Sequence, residues 1–151
     1  MQAWHFVGKS LRDGRPIPPD GEWLVHAGDI IICEAGLHAS RSPFDALVFA
    51  PGSILCLVEC DEIEKEDKDK FICWRRRIIA RRDVTEILRY FARMQALSVI
   101  HLWDTEPPDV VLDFLMTGDE SLREAARDAA RDAAGVEFNS LIHAEFSEYL
   151  R

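Results

Sequence analysis

No run of apolar residues in this chain approaches the ~20 needed to cross the hydrocarbon core of a bilayer, so no membrane span and no membrane partner is expected. Met1-Gln2-Ala3-Trp4-His5 has no basic stretch followed by an apolar one. No secretory signal is therefore expected, and the protein should stay in the cytoplasm. Metal and nucleophile motifs are missing as well. The four cysteines, Cys33, Cys56, Cys60 and Cys73, form no C-x-x-C pair, and each lies in an apolar, strand-like run. Zinc would need closely spaced thiolates or imidazoles on turns, so these read as reduced core cysteines, in keeping with a reducing compartment. His5, His26, His38, His101 and His143 are scattered without H-E-x-x-H spacing, and there is neither a G-x-S-x-G elbow nor a glycine-rich phosphate loop. No metal and no resident cofactor is expected. Positive charge is also scarce: 18 Lys and Arg face 27 Asp and Glu, a net charge of -9. Such a chain repels a phosphate backbone, so direct nucleic-acid binding is not expected.

What remains is a chain of 151 residues, 48% of them hydrophobic, enough for one compact domain. Residues 4–7 read as a strand, 11–21 as an irregular Gly/Pro-rich loop, and 22–25 as a short strand or turn. The β-branched run 29–34 and residues 36–39 continue the strand character. Ser42 suits an N-cap and Pro43 the first helical position, which opens a helix ended by Pro51-Gly52. Residues 54–60 are apolar on both faces and predict a buried central strand. The acidic stretch 61–69 reads as a loop or hairpin tip. Residues 71–80 resume β character and carry Arg75, Arg76 and Arg77, with Arg81 and Arg82 beyond. Acid and arginine runs this close either pair across a hairpin or leave an anion-binding strip.

After Asp83 the period changes to three and four. A helix capped by Asp83 is predicted through about Leu97, with 99–103 ambiguous. A second runs from Pro107-Pro108 to Met116 and is closed by Gly118. A third, capped by Asp119 or Ser121, carries the Ala-Ala-Arg-Asp repeat of 125–134, with Arg and Asp as i,i+4 partners. A last, separate helix holds Phe138, Leu141, Ile142, Phe146 and Leu150. The fold class is therefore α+β: a β-rich core over 1–82 with one short helix, and a helical region over 83–151 packed on it as a single compact domain.

The residues able to carry chemistry sit in the first half. His38, leaving a strand beside Gly36-Leu37, suits a base, a ligand or a hydrogen-bond anchor; a structural histidine bonded to a carbonyl is the alternative. His5 lies between Trp4 and Phe6, so it points to the opposite face, either away from the core or into a cleft. It meets His38 if their strands are neighbours. Glu34 and Glu59 end apolar strands and either face a cleft or are solvated. Trp4, Arg12, Ser40 and Phe44 complete the candidate binding set, although Ser40 also suits a turn and the tryptophans a core.

Trp4-His5-Phe6-Val7, Gly36-Leu37-His38-Ala39-Ser40, Pro43-Phe44-Asp45-Ala46-Leu47 and Ala50-Pro51-Gly52 resemble an uncharacterised family of small phage and prophage proteins. That resemblance implies a bacterial host cell and no particular activity. The order of elements also resembles ADP-ribosyltransferase-like domains. It sets His5 at their first histidine, His38 at a tyrosine position, 43–49 at the helix and 54–59 at the next strand. Their catalytic glutamate precedes an aromatic residue on a later strand; here Lys70-Phe71 stands there, and Glu66 is nearby. Three functions follow as expectations. The first is a non-enzymatic accessory protein that binds a host defence protein or its signalling nucleotide. The second is an enzyme acting on NAD through His5, His38 and Glu59. The third is an assembly protein that forms a homo-oligomer through its alanine-rich helices.

Overall fold

The computed structural model describes residues 1–11, 14–31, 34–103 and 106–145. Arg12, Cys33, Phe146 and Leu150 lie outside the described residues, as do the side chains of Phe138 and Leu141. The chain is α+β: an antiparallel five-stranded sheet in the N-terminal part and helices in the C-terminal part. It divides into two compact units, Met1–Thr85 and Glu86–Arg151.

The first unit is organised by one long hairpin, β4 (Ile54–Glu66) and β5 (Phe71–Asp83). β1 (Gln2–Val7) pairs antiparallel with β4, from Gln2 opposite Glu59 to Val7 opposite Ile54. The far edge of β5 carries two short strands end to end. β3 (Leu37–Ala39) lies along Phe71, Ile72 and Cys73, and β2 (Trp23–Val25) lies along Arg75, Arg76 and Arg77. One more backbone pair returns the sheet to its start. Trp4 N–H donates to Ser40 O at 2.8 Å, and Ser40 N–H donates to Trp4 O at 2.9 Å. The route β1, β4, β5, β3 and back to β1 is thus closed by hydrogen bonds.

Alternation decides which residues fill this unit. Ala3 and Val7 of β1, Cys56, Val58 and Cys60 of β4, and Phe71, Cys73 and Ile78 of β5 share one buried cluster with Leu37 and Ala39. Phe71 and Val58 are fully buried; each contributes about 1.5–3 kcal/mol relative to exposure. Cys56, Cys60 and Cys73 are free buried thiols, as the sequence indicated for them. A hydrogen bond with Cys73, and then burial, hold the Cys60 thiol far above its usual range.

The acidic stretch departs from expectation. It is strand rather than loop as far as Glu66, and the tip is confined to residues 67–70. The pairing reading of the charge runs is borne out for several members. Arg77 Nε donates to Glu59 at 2.7 Å, and Arg75 lies 3.4 Å from Asp61 and 3.8 Å from Glu62. Opposite charges on adjacent strands stabilise the extended register over a solvated loop. β5 likewise runs past Ala80 to Asp83. Of the run 29–34, the described part forms only an isolated bridge between Ile31 and Ala35. Helix α1 (Pro43–Leu47) is capped by Ser42 as expected: its hydroxyl accepts from Asp45 N–H at 3.1 Å.

The second unit is helical. α2 (Thr85–Ser98) opens on Asp83, whose carboxylate accepts from Thr85 N–H at 2.9 Å. A 3-10 turn covers Ile100–Leu102, the ambiguous stretch. α3 (Asp109–Thr117) ends on Gly118 at φ 71°, the left-handed C-cap that glycine adopts without strain. A second 3-10 turn, Glu120–Leu122, follows the Asp119 cap and leads into α4 (Arg123–Glu145). α4 corrects the sequence reading: the alanine repeat and the last helix are one, because a lone Gly135 weakens a helix without ending it. Within the repeat, the ion pair is between the neighbours Arg127 and Asp128, at 3.2 Å, rather than i,i+4 partners.

Candidate functional site

Beyond the Trp4–Ser40 pair, the edges of β1 and β3 part. In an antiparallel ladder, the backbone groups of alternate residues face the same neighbour. The N–H and C=O of Phe6 therefore face β3, as those of Trp4 do, and the next rung would join Phe6 to His38. No strand pairing joins them there. The His38 carbonyl instead accepts from Nη1 of Arg76. At this parting lies a cavity of about 850 Å³, lined from β1, β3, the segments around Leu11 and Leu24, and Phe49 behind α1.

Arg76 is the unexpected member. It sits opposite Cys60 on one side and Leu24 on the other, and it is 6% exposed. Arg75 and Arg77 turn outward, where they flank the Trp23 ring at 4.7 and 4.8 Å and meet carboxylates. Arg81 pairs with Asp20 at 2.7 Å and with the Pro18 carbonyl at 2.9 Å. Arg76 alternates inward and, among the described residues, forms no ion pair with a carboxylate. The thiols of Cys60, Cys73 and Cys56 are the groups around it, and burial lowers its pKa from the usual arginine range. An arginine nonetheless stays charged in a protein. Its nitrogens other than Nη1 bond no described group, yet none is sealed from solvent, so they open on the cavity it lines.

His5 faces inward with Ala3 and Val7, opposite to Trp4 and Phe6 as expected, and toward the core side of the sheet. It lines the cavity, and no described donor or acceptor meets its ring. Burial holds its pKa well below the usual histidine value, with the charge of Arg76 and then His38 adding to the effect. The buried Arg76 cation thus stands beside a neutral imidazole, with Arg15 and Lys70 farther around the lining.

The structure brings Trp4, His5, His38 and Ser40 to this one cavity. Ser40 is 2% exposed and acts through its backbone, closing the ring against Trp4. Phe44 lies on α1, 64% exposed and outside the lining. Glu59 is also outside it, held by Arg77. Glu66 pairs with Arg41 at 2.7 Å on the surface. The carboxylate that does line the cavity is Glu34; the remaining cationic lining residues are Arg15 and Lys70, whose ammonium stands 4.2 Å over the Phe49 ring. Period-two alternation through Arg75, Arg76, Arg77 and Ile78 is the signal that marks Arg76 as inward, because Ile78 shares its face.

Chemically, this is a largely apolar recess with a charged floor. A buried guanidinium that faces open space offers paired, directional N–H groups to an anion. No group of three or more His, Cys, Asp and Glu able to hold a metal occurs among the described residues. No helix among them is long and apolar enough to cross a membrane.

A family profile described as a domain of unknown function (DUF7666) matches residues 1–90. No curated protein and no solved structure matches the chain.

Proposed function

The chain belongs to the DUF7666 family, and from that premise we propose that its sheet unit is a non-catalytic receptor for a small anionic ligand of the nucleotide kind. The observation that carries this reading is Arg76, a buried cation with no carboxylate partner among the described residues, opening on a cavity. Burying an unpaired charge costs several kcal/mol. A fold that keeps one at the floor of a recess recovers that cost when an anion arrives. The volume of about 850 Å³ lies within the usual range of small-molecule sites. Trp4, Phe6 and Phe49 contribute to its lining, which is largely apolar. Such a protein acts by occupancy. The likeness to small phage and prophage proteins supports a role in withdrawing a host defence signal from solution.

NAD chemistry is the second reading, favoured by the presence of His5 and His38 in one cavity. It lacks Glu59 there, and with it the carboxylate that would stabilise positive charge developing on a ribose. Thermal unfolding against nucleoside monophosphates, ADP-ribose, cyclic nucleotides and NAD tests both. A ligand that binds the native state raises the midpoint. The expected result is a shift with an anionic member that disappears in Arg76→Met, with NAD intact after long incubation. No shift with any member overturns the receptor reading, and NAD turnover lost in His38→Ala replaces it with the enzyme.

A further inference from the structure

The cavity floor carries a second polar group that the anchor alone leaves unexplained. His5 is turned inward beside Arg76, lines the recess, and has no hydrogen-bond partner among the described residues. A buried imidazole is ordinarily satisfied by a carbonyl or a carboxylate. Here its ring is open to whatever enters. We infer that His5 is a charge-adapting specificity residue: it takes up a proton when the ligand binds and thereby selects a doubly charged phosphate monoester over a singly charged anion. This rests on the receptor reading of Arg76.

The groups around His5 come from every strand that packs on it. Cys56 lies opposite on β4, Arg76 faces it from β5, and His38 from β3. Farther around the lining stand Arg15, His26, Glu34 and Lys70. Without an anion beside it, the loss of water and then the cationic neighbour oppose charge on His5. A bound dianion reverses the second effect and offers an acceptor for the ring N–H. At the floor, where Arg15 and Lys70 are not among the charges that act on His5, Arg76 supplies one positive charge and a protonated His5 the second that a phosphate monoester requires. A sulfate ester of the same shape carries one charge, which Arg76 already matches, and gives His5 no reason to protonate. A charge-assisted hydrogen bond contributes about 1.5–3 kcal/mol, so the preference for the dianion should be at least about tenfold.

Phenyl phosphate and phenyl sulfate are the probes, because they share a body and differ in charge. Calorimetry near neutral pH, in buffers of different ionisation enthalpy, counts the protons taken up. The expected result is tighter binding of phenyl phosphate with close to one proton absorbed, and weaker binding of phenyl sulfate with none. In His5→Gln, which keeps an N–H but cannot charge, the difference in affinity between phenyl phosphate and phenyl sulfate should vanish and phenyl phosphate should absorb no proton. The His5 ring nitrogens should show the imidazolium signature by NMR only with the phosphate bound. Equal affinity for the two probes, or proton uptake that persists in His5→Gln, overturns the role of His5 and leaves Arg76 as anchor. Failure of both probes to bind the wild-type chain overturns the Arg76 anchor and this inference together.

Discussion

The sheet unit and the helical unit differ in how they hold themselves together. In Met1–Thr85, buried side chains from four strands and α1 form a dense interior. In Glu86–Arg151, the buried described residues are Val111 and Ala126, while Ile87, Tyr90, Leu102, Met116 and Val136 are exposed. The first unit is specified by non-local pairing, which sets each side chain's face through register. The second is specified by local propensity and caps, which make helices whether or not much is buried. The family match covers 1–90, so the shared domain is almost wholly the unit defined by register.

That contrast can be broken at single residues. The largest effect is expected at Gly36, which has φ 119° and would place a Cβ 2.5 Å from the fully buried Ile72. Gly36→Val should destabilise the sheet unit by about 3 kcal/mol or more. Hydrogen exchange should show lost protection in β3 and β5 with α4 unchanged; equal loss in α4 would mean that the two units unfold as one.

Arg76→Met comes next and has the opposite sign. Removing a buried, unpaired charge while keeping most of its volume should raise the stability of the ligand-free protein by about 1–3 kcal/mol. Denaturant titration checks this, and a clear loss of stability would show that the bond to the His38 carbonyl matters more than the desolvation cost.

Gly118→Ala probes the local unit. It forces an L residue into a left-handed cap, at a cost of about 1 kcal/mol confined to α3. The new Cβ would meet the Arg93 guanidinium, whose flexible end can move aside. The smallest effect is expected at Glu66, whose pKa Arg41 holds down, chiefly through their hydrogen bond. A depressed carboxylate contributes stability above its unfolded pKa and loses it as pH falls through the folded one. In Arg41→Gln, an NMR titration should find the Glu66 midpoint moved upward; an unmoved midpoint would show that the pair does not persist in solution.

The same contrast explains what could be read from the sequence. Ser42-Pro43, Asp83 and Gly118 announce their helix ends because capping is chemistry among near neighbours. The merging of the last two helices was hidden because Gly135 is a weak break, and its effect depends on context. Trp4, His5, His38 and Ser40 were legible as candidates, and their meeting depends on a ring closure over 36 residues of sequence. Phe44 looked like a site residue because it belongs to a distinctive block, yet it lies outside the cavity. Arg76 was concealed by its neighbours. In a run of arginines, the alternation that ties Arg76 to Ile78 is the one signal of an inward side chain, and the register of β5 against β4 and β2 fixes it.

The β4–β5 hairpin, with a tip of only residues 67–70, has a consequence for how the chain is made. Its two arms are adjacent in sequence and can zip within about 1–10 μs. β1 has no such neighbour. It leaves the ribosome before the hairpin does, and its partner strand is complete only at Glu66. At about 5–20 residues per second, Ala3-Trp4-His5-Phe6-Val7 waits on the order of several seconds without a partner. During synthesis, this apolar strand is the segment most open to chaperones and to mispairing with other nascent chains, and completion of the hairpin ends that exposure.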